Sequence, residues 1–402
     1  MKGHRNFKVL ILFYFFVFFI HKNAFCIIIS NVIITGNSIS TTNTILSFFY
    51  EYFYEGKSFF STSEFTSATN DFIRRLERTG WYRNLRINCI TSTNHPNVCD
   101  IEVSLEEKIP YIVYLKNDHI GIGKYNIWGK GKEVIFEVGF SHRAIRIVDR
   151  MFNYSPLSYD IYLGSENFSY EEFNGNSYEK STLVKQKGCV KIGYVFFKDN
   201  KVYLLSGIDW LSTTNNEVIT NNFYFDLGWA FDRRYGFPVV YRGFYLEAKT
   251  KFYSFSIIPL LELEFAYYLD FLPTLVWANR IHTVFCFYDL PPYYKENLRD
   301  INGLRTKGEM VNLIGNSSYD IHTELRWNFW EKFSFLLFDV QLEAVVFFEL
   351  GEAVSSLNAW SIPNYVYGCG LRVYLDSFAI RTELGIDKLN NISVFNSFDL
   401  PF

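Results

Sequence analysis

The chain has 402 residues, among them 42 Phe, 29 Tyr and 8 Trp, with 20% charged residues and a formal net charge of −3. One aromatic in five residues excludes a disordered chain, which needs few aromatics and a high net charge, and near-neutrality leaves no electrostatic footprint for nucleic acid. Mean hydropathy is 0.00, and no apolar run beyond residue 26 reaches the ~18 residues of a membrane helix.

Lys2, His4, Arg5 and Lys8 precede an unbroken apolar run from Val9 to Ile20, followed by Ala24, Phe25 and Cys26. A charged start and a short apolar core are the pattern of an export signal. Residues 1–26 are therefore predicted to be a signal peptide, with a mature chain from about Ile27; an uncleaved anchor is the alternative.

Residues 27–108 read as a small α+β domain. Ile27 to Ile34 is a β-branched strand ending at the turn Thr35-Gly36-Asn37. Ser40-Thr41-Thr42 offers N-caps for a helix through about Tyr54, which Gly56 ends. Ser63 is expected to cap a second helix with Phe65, Phe72, Ile73 and Leu76 on one face, and Gly80 stands where a C′ glycine belongs. Leu85–Thr91 and Val98–Leu105 form a hairpin around Asn94-His95-Pro96-Asn97, giving the order βααββ. Cys89 and Cys99 lie about equally far from that turn, so they are candidates for a cross-strand disulfide or for two buried free thiols. Cys189, Cys286 and Cys369 are isolated, and their spacing suggests no metal site.

From residue 109 onward the sequence alternates. Tyr319, Ile321, Thr323, Leu325, Trp327 and Phe329 share one strand face, opposite Asp320, His322, Glu324, Arg326 and Asn328. Tyr365, Tyr367, Cys369, Leu371 and Val373 oppose Gly368, Gly370 and Arg372, and Phe378, Ile380, Thr382, Leu384 and Ile386 oppose Arg381, Glu383, Gly385 and Asp387. Period-two order over about ten residues is the mark of a transmembrane β-strand, apolar outside and polar toward a wet lumen. Residues 109–402 are thus predicted to be an all-β transmembrane barrel. Sixteen antiparallel strands leave ~18 residues for each strand and its connection; twelve or fourteen strands with longer loops are the alternatives. No catalytic constellation is present: there is no G-x-S-x-G, no H-E-x-x-H and no phosphate-cradling glycine loop. The reading is of a protein that is not an enzyme and takes no cofactor or metal.

Several motifs carry a family resemblance. Ile34-Thr35-Gly36-Asn37, the Gly56 turn, and Gly80-Trp81-Tyr82 leading into Leu85 resemble a POTRA domain. Gly123-Lys124-Tyr125-Asn126-Ile127-Trp128-Gly129-Lys130-Gly131 resembles the first-strand segment of the BamA/TamA-type outer-membrane β-barrel assembly superfamily, with Lys124 in place of its acidic residue. Phe347-Phe348-Glu349-Leu350-Gly351 is similar to that family's F-x-D-x-G strand, with Glu for Asp. Phe398, Leu400 and Phe402 resemble its terminal aromatic signal. A lid loop of the family carries an Arg-Gly-aromatic tip, for which Leu304-Arg305-Thr306-Lys307-Gly308 is the candidate here, altered at Thr306-Lys307.

The resemblance implies that Arg305 pairs with Glu349 in the lumen and fixes the lid. It also implies a lateral seam between a first strand near Ile120, Ile122 and Tyr125 and a last strand bearing Ile392, Val394, Phe398, Leu400 and Phe402, weakened by Pro401, which lacks an N–H. The implied function is an assembly factor that receives unfolded β-barrel precursors and inserts them into the bilayer, with accessory assembly proteins as further partners. The alternatives are a polypeptide translocation pore and a structural or diffusive barrel. The implied location is the outer membrane of a Gram-negative bacterium, or the outer envelope of a bacterium-derived organelle, with residues 27–108 in the periplasm or intermembrane space.

Overall fold

The computed structural model describes residues 27–398 except 50–51, 92–97, 109, 117–118, 151–155, 174–177, 197–198, 214–217, 237–238, 257, 300–301, 309, 311, 336–337 and 376–377. The expected signal, Leu400, Pro401 and Phe402 lie outside the described residues. The chain divides into two compact units at Lys108/Ile109.

The first unit runs β1 (Ile27–Thr35), α1 (Thr42–Phe49), β2 (Ser58–Phe59), α2 (Thr62–Glu77), β3 (Tyr82–Thr91) and β4 (Val98–Glu107). Its sheet has the order β2-β1-β4-β3, with β1 parallel to β4 and the other neighbours antiparallel. The added two-residue β2 turns the expected βααββ into βαβαββ. Helix α2 begins two residues earlier than expected because Ser61, not Ser63, accepts from the Glu64 N–H at 3.1 Å, while Glu64 Oε2 accepts from Phe60 N–H at 3.0 Å. The pairing resembles a capping box, with the carboxylate reaching the amide one residue before the cap. The core is aromatic: Phe49, Phe53 and Phe72 meet one another at 4.7–6.2 Å, and Phe48 meets Trp81 edge-on at 6.4 Å.

Glu107, at the end of β4, ties this unit together. Gly36, with φ +85° and its absent Cβ only 2.0 Å from the Leu105 carbonyl oxygen, turns the chain so that three successive amides face Glu107. Its carboxylate accepts from the N–H groups of Ser38 and Ser40, each at 2.6 Å, and from that of Ile39. Burial alone would raise its pKa, but hydrogen bonds from Ser40, Ile39 and Ser38 outweigh burial and hold it below the ordinary value. Such a group contributes stability that is complete above its unfolded pKa of about 4.3 and is lost as pH falls through the lower folded value. Glu107→Gln is expected to cost about 1.5–3 kcal/mol and to lower the protection factors of the Ser38–Ser40 amides at pH 7 to those of the wild type in acid. Amide hydrogen exchange against pH measures this, and unchanged protection would sink it.

The second unit is one antiparallel sheet of sixteen strands, each beside its neighbour in sequence. In order they are β5 (Tyr111–Leu115), β6 (His119–Ile127), β7 (Lys132–Gly139), β8 (His142–Asp149), β9 (Leu157–Phe173), β10 (Tyr178–Phe196), β11 (Asn200–Ser212), β12 (Val218–Asp232), β13 (Gly243–Tyr253), β14 (Leu260–Leu272) and β15 (Leu275–Phe285). A long loop carrying the two-residue ladder β16 (Glu296–Asn297) and β17 (Ile314–Gly315) then leads to β18 (Ser317–Phe335), β19 (Phe338–Val354), β20 (Asn364–Leu375), β21 (Phe378–Asp387) and β22 (Ile392–Ser397). Strand length is uneven: β5 has five residues and β22 six, whereas β10 and β18 have 19 each. We call the end at which β5 begins proximal and the other distal.

The strands form because their side chains alternate between two environments. Phe136, Leu163, Phe223, Leu227, Trp327, Val346 and Leu371 stand outward, each more than half exposed. Glu137, Asp226, Glu324, Arg326, Glu343 and Arg372 stand inward and buried. An apolar exterior of this extent has no place in water, and an inverted barrel in lipid accounts for it. No helix among the described residues is long and apolar enough to cross a membrane.

Candidate functional site

The loop from Cys286 to Asn316 leaves β15 at the distal end and turns into the barrel. Its first half is anchored by aromatics. Tyr294 Oη donates to Asp209 on β11 at 3.2 Å and accepts from Asn222 on β12 at 3.1 Å, and its ring lies 4.7 Å from that of Tyr253. Tyr293 meets Tyr170 of β9 at 6.1 Å. The loop has its own apolar centre, in which Leu298, Leu304, Met310 and Leu313 pack with Phe347, Ala353 and Val366 of the wall.

The second half carries Arg305, which is 1% exposed. Its backbone N–H donates to Glu349 Oε2 at 2.8 Å, and its Nε lies 3.1 Å from Glu349 Oε1 and 3.1 Å from Glu383 Oε2. Its Nη2 pairs with Glu324, and the guanidinium stacks 4.0 Å over the Phe347 ring. Thr306 Oγ1 donates to Asp387 at 3.0 Å, and the Lys307 N–H donates to Ser393 Oγ on β22 at 2.9 Å. The altered tip thus keeps its grip through Thr306 and Lys307.

Around Arg305 the wall charges are saturated by one another. Arg372 donates to Glu324 at 2.7 and 2.9 Å, to Glu343 at 3.0 Å and to Glu383 at 2.7 Å. Arg326 donates to Glu324 at 2.7 Å, and Arg381 to Glu383 at 3.0 Å. A second chain leads away from Glu349: His322 bridges Glu349 at 2.9 Å and Asp320 at 2.7 Å, and Asp320 also holds Arg280 at 3.2 Å and His282 at 3.0 Å. Glu324, Glu343, Glu349 and Glu383 are each 0–1% exposed. On this side the lumen is therefore a dry ionic core, not the wet face expected from sequence, because the loop fills it. Sequence reasoning placed Glu324, Arg372 and Glu383 on the polar face but gave them no role; their alternation with apolar residues was the only signal.

The proximal end carries a different inward element. The β12–β13 turn folds inward, so that Val239 packs against Tyr374 of β20 and Ala379 of β21 on the far wall. Arg234 pairs with Asp232 at 2.9 Å and stacks 4.3 Å over Tyr245 at the root of the turn.

The expected seam shifts by one strand. Ile120 pairs with Leu115 on one side and Val138 on the other, so β6 has both edges filled and cannot be the rim. Ile120 and Ile122 face outward, 46% and 58% exposed, while Tyr125 is buried inside. One rim strand is β5, and the strand at the other end of the sheet order is β22, with outward Ile392 and Val394, followed by Phe398. Among the described residues no ladder joins β22 to β5, whereas every other neighbouring pair is laddered. In the first unit, Cys89 pairs with Ile101 and Cys99 with Thr91, so the two cysteines are diagonal neighbours and both are free thiols. Burial and a hydrogen bond with Cys89 push Cys99 up to about 12.

No family model and no curated protein matches the sequence. Solved structures do match. BamA from Haemophilus ducreyi lacking POTRA domains 1–3 is 13% identical with a TM-score of 0.54, over 92% of this chain and 83% of that one. CdiB from Escherichia coli is 13% identical with a TM-score of 0.62, over 92% and 76%. CdiB from Acinetobacter baumannii is 13% identical with a TM-score of 0.55, over 92% and 73%. The sixteen-stranded sheet matches the barrels of the BamA/TamA type. At this identity the likeness establishes the fold that BamA and CdiB share with this chain.

Proposed function

We propose that the chain is an outer-membrane assembly factor that inserts unfolded β-barrel precursors through the seam between β5 and β22. The observation that carries this reading is that, among the described residues, no ladder joins the two rim strands of an otherwise continuous sheet. Unpaired N–H and C=O groups are costly in hydrocarbon, and an incoming strand that pairs with such a rim satisfies both partners. The Arg305 loop occupies the lumen beside β19 and the Val239 turn reaches across to β20 and β21 at the proximal end, which favours the side of the barrel as the route for a polypeptide. The βαβαββ unit, with a four-stranded mixed sheet, is read as a POTRA-like domain that receives the precursor on a sheet edge, on the periplasmic side of a bacterial outer membrane or the equivalent face of an organelle envelope. A translocation pore, the other reading, requires both elements to leave the lumen.

The test is full-length protein in liposomes with an unfolded barrel substrate, folding being followed by heat-modifiable gel mobility. Folding faster than with a control barrel is expected. A short bismaleimide bridging Val113→Cys on β5 to Val394→Cys on β22 is expected to abolish the gain. Equal rates with and without the protein would refute the insertase, and equal rates with and without the bridge would refute the seam.

A further inference from the structure

Three side chains on neighbouring strands converge inside the distal rim, away from the loop and its ionic core. His119 opens β6, Glu137 stands near the end of β7, and His142 opens β8. His119 pairs with Gly139, so Glu137, two residues earlier on β7, lies diagonally beside it on the same inward face. The ladder from β7 to β8 reaches Val138 and Arg143, so His142 follows on the other side of Gly139. With no side chain at Gly139 between them, the two imidazoles stack at 3.9 Å with planes 15° apart. One donor atom from each of the three residues lies within 4.8 Å of the other two, and all three residues are 6–7% exposed.

We propose that His119, Glu137 and His142 form a site for a divalent transition-metal ion of the zinc class. Imidazole nitrogens with one carboxylate are the donor set such ions take, whereas calcium and magnesium prefer oxygen alone. His142 Nε2 and Glu137 Oε2 are 2.7 Å apart, sharing a proton. An ion in place of that proton, ~2.0–2.2 Å from each ligand, sets these two atoms roughly 3.3 Å apart, and His119 completes the site by tilting out of the stack so that its in-plane lone pair meets the ion. The outer groups suit the role. Glu166 on β9, paired in register with His142, has Oε2 3.7 Å from His142 Nδ1, on the ring nitrogen away from Glu137. That is the place of the carboxylate that orients a metal-bound imidazole. The Tyr114 hydroxyl donates to Glu137 Oε1, leaving Oε2 to face His142. Glu137 and Glu166 place two carboxylates beside the imidazoles, a setting that suits a cation. Three protein ligands leave a coordination position for water from the lumen. The bound ion would staple β6, β7 and β8 together, and through Tyr114 it would reach β5, the rim strand.

The test uses the full chain in detergent, stripped with chelator and then titrated with zinc sulfate, with bound metal measured by elemental analysis. One ion per chain is expected. His142→Ala is expected to lower affinity by at least 100-fold, and Glu166→Gln by about 10–100-fold, with heat-modifiable mobility reporting that each variant is folded. Histidine modification by diethyl pyrocarbonate, read by mass spectrometry on the unaltered protein, decides the matter if a variant does not fold. Zinc is expected to protect His119 and His142 and leave His282 and His322 as they were. Absence of stoichiometric zinc, undiminished affinity in folded His142→Ala, or protection confined to His282 and His322 would each overturn the site.

Discussion

Replacing Arg305 by Ala is expected to lower barrel stability by about 3–5 kcal/mol, the usual consequence of taking one partner from a buried ionic cluster. Arg305 faces Glu324, Glu349 and Glu383 at once. Its removal leaves four buried glutamates around three arginines, Arg326, Arg372 and Arg381, with one carboxylate charge uncompensated by an arginine. Arg305→Lys is expected to rescue only part of the loss, because a single ammonium cannot address three carboxylates that a planar fork reaches together. The midpoint of the heat-modifiable mobility shift measures the loss, and trypsin cleavage after Lys307 reports whether the loop has left the lumen. A variant as stable and as protease-resistant as the wild type would refute the anchoring role. Conductance in planar bilayers is expected to stay low even then, since the turn carrying Val239 still reaches across the proximal end. A large steady current from Arg305→Ala alone would mean that this turn is no barrier.

Gly385→Val is expected to release the same loop without touching a charge. A Cβ at position 385 would stand 2.2 Å from the Arg305 carbonyl oxygen and 3.0 Å from a Val366 methyl carbon. Backbone cannot yield as a flexible side chain does, so the added carbon pushes the loop away from β21. The expected cost is about 1–3 kcal/mol, as for other overpacked sites. The informative experiment is the double variant. Once Arg305→Ala has freed the loop, Gly385→Val has little left to displace, so the two losses should sum to clearly more than the double variant shows. Strict additivity would mean that position 385 acts on the sheet itself and not through Arg305.

How much of this was legible beforehand depends on the distance over which each feature is encoded. The faces of β18, β20 and β21 could be read directly, since lipid on one side and packed charge on the other impose a period of two over ten or more residues. Arg305 and Glu349 stood out because each sits in a short motif. Glu324 and Glu383 did not, because they join Arg305 only when strands 59 residues apart in sequence curve onto one loop. The rim strand was misplaced for a local reason: Tyr111–Leu115 is five residues long, too short to show a period, while the glycine-rich run after it is conspicuous. His119 and His142 are 23 residues apart with a hairpin between them, and nothing in their spacing suggests that two rings stack across a glycine.

The uneven strand lengths have a mechanical consequence. At ~3.3 Å per residue, five-residue β5 and six-residue β22 span roughly 17–20 Å before tilt, well under the ~30 Å of a typical hydrocarbon core, whereas 19-residue β10 and β18 exceed it. A bilayer of uniform thickness cannot match both sides of such a wall, so it must pinch beside the short strands, at a modest elastic cost for each ångström of mismatch. The lipid is then thinnest beside β5 and β22, the two strands that, among the described residues, each have an edge without a ladder.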